Sequence, residues 1–224
     1  MTPETSGPVA LIHTVAGLIP VFEPLAKREL AGWTTFNMLD ESLLRTTIAQ
    51  GSLSHLTMRR LVGMVWSAVD AGAAAVVVTC SSLGPAVEAA RPLCPVPLFR
   101  IDEGMAIAAT GLGARIGVLA TLRTTLDPTT DLIRQTAARL DHECSITSLL
   151  AEGAFALLAG GDAAGHDQIV AQSLRQLAGQ VDVIVLAQAS MARVLPMVAA
   201  DVALPVLTSP ELGLRHVGAT LLGL

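Results

Sequence analysis

Tyrosine is absent from this chain of 224 residues, and aromatic residues of any kind make up only 3% of it. A buried core must therefore be assembled from Val, Leu, Ile, Ala and Met, which the 52% hydrophobic content supplies. Lysine occurs once, as Lys27, in the polar stretch Ala26-Lys27-Arg28-Glu29, so only one side chain is available for a Schiff base. Positive charge is scarce as well. The net charge is −5, whereas a nucleic-acid partner calls for a basic patch, so none is expected. No apolar run reaches the roughly 18–20 residues of a spanning helix. Residues 7–22 come closest, and His13 and Pro20 interrupt them, so no membrane association is expected. The segment Met1-Thr2-Pro3-Glu4-Thr5 lacks the basic start of a signal peptide. Three cysteines, odd in number and irregularly spaced, make no disulfide framework. A soluble cytoplasmic protein with reduced thiols is expected. Phosphate-loop chemistry is excluded too: there is no Gly-Lys-Ser/Thr motif, and Gly111-Leu112-Gly113 precedes a strand pattern instead of following one.

What is present is an alternation of short apolar runs with longer helical patterns, the signature of βαβ units and a parallel sheet. Strands are predicted at about 9–13, 33–38, 74–79, 97–100, 115–120, 143–149, 183–186 and 205–208. Between them, Met58, Leu61, Val62, Val65 and Val69 recur with helical spacing, as do Val170, Leu174 and Leu177. Asp127-Pro128-Thr129 reads as a helix start with Pro in the first turn. The halves also resemble each other. Val76-Val77-Val78-Thr79-Cys80 has a counterpart in Ile184-Val185-Leu186-Ala187-Gln188, with Gln188 following Cys80 by 108 positions. Val96-Pro97-Leu98 matches Leu204-Pro205-Val206 at the same offset, and Thr14 matches Thr121 at 107. Several ordered matches at nearly one offset indicate a domain duplication. The predicted fold is α/β, with two similar lobes related by a pseudo-twofold, each a parallel four-stranded sheet flanked by helices. The first lobe spans 1–110, joined by the C-terminal segment 209–224, and the second spans 111–208.

A buried strand that stops at a small polar loop and turns into a helix presents that loop at the carboxyl edge of its sheet, where open α/β sheets bind ligands. Two such edges predict two lobes facing one cleft, and only one edge carries a thiol. Cys80 is the leading candidate. At a helix N-terminus the dipole and nearby N–H groups lower a thiol's pKa, and the thiolate can act as base, acid or nucleophile. Its competing reading is a buried structural cysteine. Ser81 and Ser82 add donors for a carboxylate. Gln188, with Ala189 and Ser190, holds the mirrored place; its bland role is a polar cap on the helix that follows. Thr14 and Thr121 end the first strands of the halves. Arg123 and Thr124 follow, and Arg123 is either a bidentate carboxylate partner or a solvated surface charge. His13 is either a second base beside the thiol or a hydrogen-bonded structural histidine. Asp40-Glu41 and Asp102-Glu103 read as helix starts rather than paired acids. Asp141-His142-Glu143-Cys144 has metal-ligand types, but neighbours on a strand point to opposite faces, so no metal site is expected.

Thr79-Cys80-Ser81-Ser82, the Gly117-Val118-Leu119-Ala120-Thr121 strand and the mirrored edge at 186–192 resemble the Asp/Glu racemase superfamily. That group includes aspartate, glutamate and hydantoin racemases, maleate isomerase and arylmalonate decarboxylase. The resemblance implies two similar α/β lobes with the active site in the cleft between them, no cofactor, and room for a homodimer. Its racemases carry one cysteine on each lobe: one thiolate removes the proton α to a carboxylate, and the other thiol returns a proton to the opposite face. Cys80 matches the first cysteine, and Gln188 stands at the position of the missing second one. Ser81 and Ser82, and the loop from Thr121 to Thr124, match carboxylate-binding positions. The resemblance thus implies a cofactor-independent racemase or isomerase of a small carboxylate substrate. The alternatives are a decarboxylase of a malonate-like acid, a cis-trans isomerase of an unsaturated diacid, racemisation with His13 or water as second base, and a non-catalytic carboxylate-binding protein.

Overall fold

The computed structural model describes residues 7–223; the segment Met1-Thr2-Pro3-Glu4-Thr5 lies outside the described residues. The chain divides into two compact units, Met1–Gly104 with Pro210–Leu224, and Met105–Ser209.

The first unit carries β1 (Val9–His13), β2 (Thr35–Leu39), β3 (Ala75–Val78) and β4 (Leu98–Arg100), all parallel in the order β2-β1-β3-β4. β1 and β3 are buried along their whole length, as central strands of a parallel sheet covered on both faces must be. Alternate residues serve alternate faces. Ala10, Ile12, Val76 and Val78 pack against Leu61, Val65 and Ala68 of α3 (His55–Asp70), and against Ala86 and Val87 of α4 (Gly84–Ala90). Val9, Leu11, Ala75 and Val77 meet Phe22, Ala26 and Leu30 from α1 (Ile19–Glu29) and its end, and Leu214, Val217 and Leu221 of α10 (Ser209–Leu222). Of the predicted stripe of α3, Leu61 and Val65 are buried and Met58 and Val62 pack partly buried beside them, while Val69 stays at the margin. Gly213 and Gly218 let α10 lie close: a Cβ would collide with the Ile101 carbonyl at the first and the Glu29 carbonyl at the second. α2 (Glu41–Gln50) starts at Asp40, whose carboxylate accepts from the Ser42 amide at 3.0 Å, so this acidic pair is a helix start as expected.

The second unit repeats the plan. β5 (Arg115–Ala120), β6 (Ser145–Leu150), β7 (Val183–Leu186) and β8 (Val206–Thr208) are parallel in the order β6-β5-β7-β8. α8 (Ala163–Ala178) buries Val170, Leu174 and Leu177 against this sheet. All eight predicted strands form. The ones placed at 33–38 and 143–149 begin two residues later, because a turn precedes each. Gly32 takes φ 90° before β2, and Asp141 takes φ 54° before β6. Asp141-His142-Glu143-Cys144 therefore lies before the strand, Asp141 in a turn and the other three in irregular chain, and the strand-alternation argument does not apply to it.

One helix start is corrected. α6 (Arg123–Arg139) begins at Arg123, and Pro128 lies inside it. The Thr125 and Leu126 amides already donate to the Leu122 carbonyl at 3.1 and 2.9 Å, so the ladder is under way before the proline is reached. Pro128 costs the helix one N–H donor but no reversal of direction. Among the described residues no helix is long and apolar enough to cross a membrane.

Candidate active site

β1 and β3 are neighbours in register, Ile12 opposite Val78, so their ends leave the sheet side by side. The Thr79 amide prolongs the pairing by donating to the Ile12 carbonyl at 3.0 Å. Cys80 is still extended (φ −126°, ψ 108°) and then caps a 3-10 turn, Ser81–Leu83, which runs straight into α4. This geometry folds the chain back over the sulfur. The thiol is met by the Thr14 hydroxyl, the Ser82 and Leu83 amides and the Ser82 hydroxyl. Thr14, Ser81 and Ser82 are buried, whereas Cys80 itself keeps some contact with solvent.

Two effects oppose each other at this sulfur. Burial disfavours the thiolate and pushes the pKa up; the four donors favour the thiolate and pull it down. Burial prevails, and the pKa lies above its ordinary 9.0. The expectation of a lowered thiol pKa is thereby corrected. The helix after Cys80 is seven residues long and is reached through a 3-10 turn, so its amides do not outweigh desolvation.

His13 is fully buried at the end of β1. Its Nδ1 lies 2.9 Å from Thr79 Oγ1 and its Nε2 lies 2.9 Å from Asn37 Oδ1. The carboxamide oxygen can only accept, so Nε2 carries the proton, and Nδ1 shares the single proton of the Thr79 hydroxyl with the Ile12 carbonyl, which lies 3.1 Å from that hydroxyl. Burial lowers the His13 pKa below 6.5, with the Asn37 bond opposing, so the ring is held neutral. Phe22 closes on it edge-to-face at 5.4 Å. His13 therefore reaches the thiol edge through Thr79, with both ring nitrogens engaged.

The second unit presents the matching edge. The Ala187 amide donates to the Leu119 carbonyl at 2.9 Å, as Thr79 does to Ile12. Gln188 then turns its carboxamide onto Thr121. Its Oε1 accepts from the Thr121 amide at 2.6 Å, and its Nε2 donates to the Thr121 hydroxyl at 2.8 Å. Gln188 precedes the 3-10 turn Ala189–Val194 but makes no side-chain bond to it, so the bland reading of a helix cap does not describe it. Ala189 and Ser190 lie half-buried in that turn. Arg123 is exposed and sits 3.9 Å from Asp127, in keeping with a solvated charge. Thr124, one residue into α6, has a buried hydroxyl oxygen with no hydrogen-bond partner. That is the arrangement of an open donor at a helix N-terminus.

Two elements escaped sequence reasoning. Asn37 and Thr79 fix the histidine, and no local pattern announces a partner 24 residues away. Arg100 and Asp102 form a buried bidentate pair at the end of β4, with Nε and Nη2 at 3.0 and 2.9 Å from the two carboxylate oxygens. The i, i+2 spacing at a strand end is the signal that could have found it. Glu103 begins α5 (Glu103–Leu112) and accepts from the Arg100 amide at 3.1 Å, so only half of that acidic pair is a helix start. Lys27, the one lysine, is exposed and pairs with Glu23 at 3.1 Å.

Residues 25–217 match the family described as Asp/Glu/hydantoin racemase. No curated protein matches by sequence. Among solved structures, the chain is similar to a glutamate racemase from Bacillus anthracis, at 18% identity and TM-score 0.77, covering 97% of this chain and 82% of that one. An allantoin racemase from Klebsiella pneumoniae matches at 19% identity and TM-score 0.68, covering 98% and 89%. An arylmalonate decarboxylase matches at 16% identity and TM-score 0.55, covering 98% and 93%. At such identities the structural likeness speaks for the fold.

Proposed function

The chain belongs to the Asp/Glu/hydantoin racemase family, and from that footing we propose that it is a cofactor-independent racemase/isomerase-type enzyme. It acts at the carbon α to a carboxylate of a small amino acid or related acid, with Cys80 as acid/base. The observation that carries this reading is the set of donors around the Cys80 sulfur, two hydroxyls and two amides. Burial keeps the proton on the sulfur at rest, while the donors stand in place to stabilise the thiolate once it forms. In the forward step the thiolate takes the α proton. The C–H electron pair moves into the carboxylate to give an enediolate, water delivers a proton to the opposite face of the carbon to complete the inversion, and the new S–H gives its proton up to solvent. Donors must meet the charge that develops on the carboxylate oxygens. Ser81 and Ser82 suit that role on the Cys80 edge. Glutamate and allantoin racemases share the fold, which supports carbanion chemistry without naming the substrate.

A second reading is favoured by one observation: Gln188, at the position of the second cysteine, is engaged on Thr121 and has no acid/base capacity. One thiol serves one face. In a decarboxylation the C–C bond to a carboxylate breaks, CO₂ leaves, and its electron pair forms the enediolate. Cys80 then protonates the carbon and regains its proton from solvent. Both readings are tested by incubating the protein in D₂O with aspartate, glutamate, hydantoins, hydroxy acids and substituted malonates, followed by proton NMR and chiral analysis. Exchange with loss of optical purity supports racemisation. CO₂ release with a product of one configuration supports the second reading. Turnover that survives in Cys80→Ala would sink both.

A further inference from the structure

We infer that Arg100, fixed by Asp102, is a positioning residue for Cys80: its guanidinium braces Gly84 and thereby sets the turn whose amides hold the sulfur. The inference rests on the reading of Cys80 as the reacting group. Arg100 is the last residue of β4 and lies opposite Val78, two residues before Cys80. Its side chain is 4% exposed and that of Asp102 is 0% exposed. The bidentate pair leaves the guanidinium in one orientation. That orientation puts it against α4 at two places one turn apart. Nη1 lies 3.7 Å from Glu88 Oε1, and the Arg100 side chain fills the space a Cβ would need at Gly84. Gly84 directly follows the turn Ser81–Leu83 that supplies the Ser82 and Leu83 amides to the sulfur. The brace and the sulfur cradle are therefore consecutive segments of one backbone.

Stability alone does not account for the pair. A buried ion pair commonly does no better than an apolar replacement of the same size, because desolvation offsets the attraction. What the pair does supply is a flat, rigidly oriented group that only a glycine can lie against, in a place where a shift of the backbone would move two sulfur donors.

The test is the pH dependence of Cys80 alkylation by iodoacetamide, read at the Cys80 peptide by mass spectrometry in the full-length protein. Asp102→Asn keeps the size but releases the bidentate grip that fixes the guanidinium, and is expected to move the alkylation midpoint up as the turn loosens and its amides leave the sulfur. Arg100→Met removes the brace itself and is expected to move it up as well. Each shift should reach roughly half a pH unit. Gly84→Ala changes no charge but displaces the turn, and is expected to move the midpoint up through loss of the amide donors. A purely structural role predicts faster alkylation at every pH with an unmoved midpoint, as for the equally destabilised control Leu221→Ala, and that result would overturn the inference. If Arg100→Met does not fold, Asp102→Asn and Gly84→Ala decide the matter by their upward shifts. The readout needs no substrate. Upward shifts without Cys80-dependent turnover would keep the positioning role and sink the proposed function, and turnover with unmoved midpoints would do the reverse.

Discussion

At the end of the first sheet, a threonine hydroxyl from β1 meets the cysteine sulfur that follows β3. At the end of the second sheet, the threonine after β5 is gripped at its amide and its hydroxyl by the glutamine that follows β7. The strand order, the parallel pairing and the extra rung beyond each strand pair are the same. What differs is one side chain, and it changes what the edge can do. A thiol offers its neighbours one weak, ionisable atom, so the donors around Cys80 stay ready to respond to charge. A carboxamide has a donor and an acceptor and uses both on Thr121, so the edge at Gln188 is closed on itself. The two sheets thus end in edges of different character, one with an ionisable sulfur among donors and one closed on itself.

The comparison breaks first at Cys80. Cys80→Ser keeps the size and the hydrogen bonds but removes the ionisable atom, and is expected to cost about 10²–10⁴ in turnover with little change in thermal midpoint. The check is kcat on the substrate found by the exchange panel, alongside a melting curve. The mirrored substitution should act on stability instead. Gln188→Ala leaves the buried Thr121 amide without its partner, and urea unfolding should register a loss of about 1–3 kcal/mol. If Gln188→Ala unfolded like the wild type, the closed edge would not be a structural clasp.

A subtler change sharpens the first edge. Thr14→Val removes one donor to the sulfur and nearly preserves volume, so the Cys80 pKa should rise further and alkylation at a fixed pH near 8 should slow. Unchanged alkylation would mean that Thr14 does not support the thiolate. The smallest effect is on the pH dependence of stability. His13 is held below 6.5 by burial, with Asn37 opposing, so below that pH the unfolded chain takes up a proton that the folded chain resists. Its contribution is complete above 6.5 and falls as the pH drops toward the folded value. Cys80 has the opposite sign: the folded thiol keeps its proton above 9.0, where the unfolded one loses it, so stability falls as the pH rises past 9.0. Urea midpoints across this range should therefore form a plateau with both shoulders. The acid shoulder should flatten in His13→Asn, and neither should move in Gln188→Ala.

The sheets were readable because buried parallel strands are nearly uninterrupted apolar runs, and Val76-Val77-Val78 and Val183-Ile184-Val185-Leu186 have no competing interpretation as amphipathic helices. The duplication came through for the same reason, since strand ends repeat at a constant spacing. Charge and orientation did not. The position of Cys80 announced a helix N-terminus, but the balance of burial against donors depends on how tightly the turn closes, which no spacing encodes. Gln188 read as a cap because a polar residue before a helix usually is one; its turn toward Thr121 is a tertiary choice across 67 residues. Pro128 misled because proline favours first turns, while the extended Leu122 had already started the helix.

The asymmetry of the two edges is tested most directly by deuterium exchange at the substrate α carbon in D₂O, measured side by side for wild type, Cys80→Ala and Gln188→Ala below the melting point of the weakest variant. The account predicts that exchange disappears in Cys80→Ala and persists in Gln188→Ala. Exchange that persists without Cys80, or that disappears equally with Gln188, would contradict it.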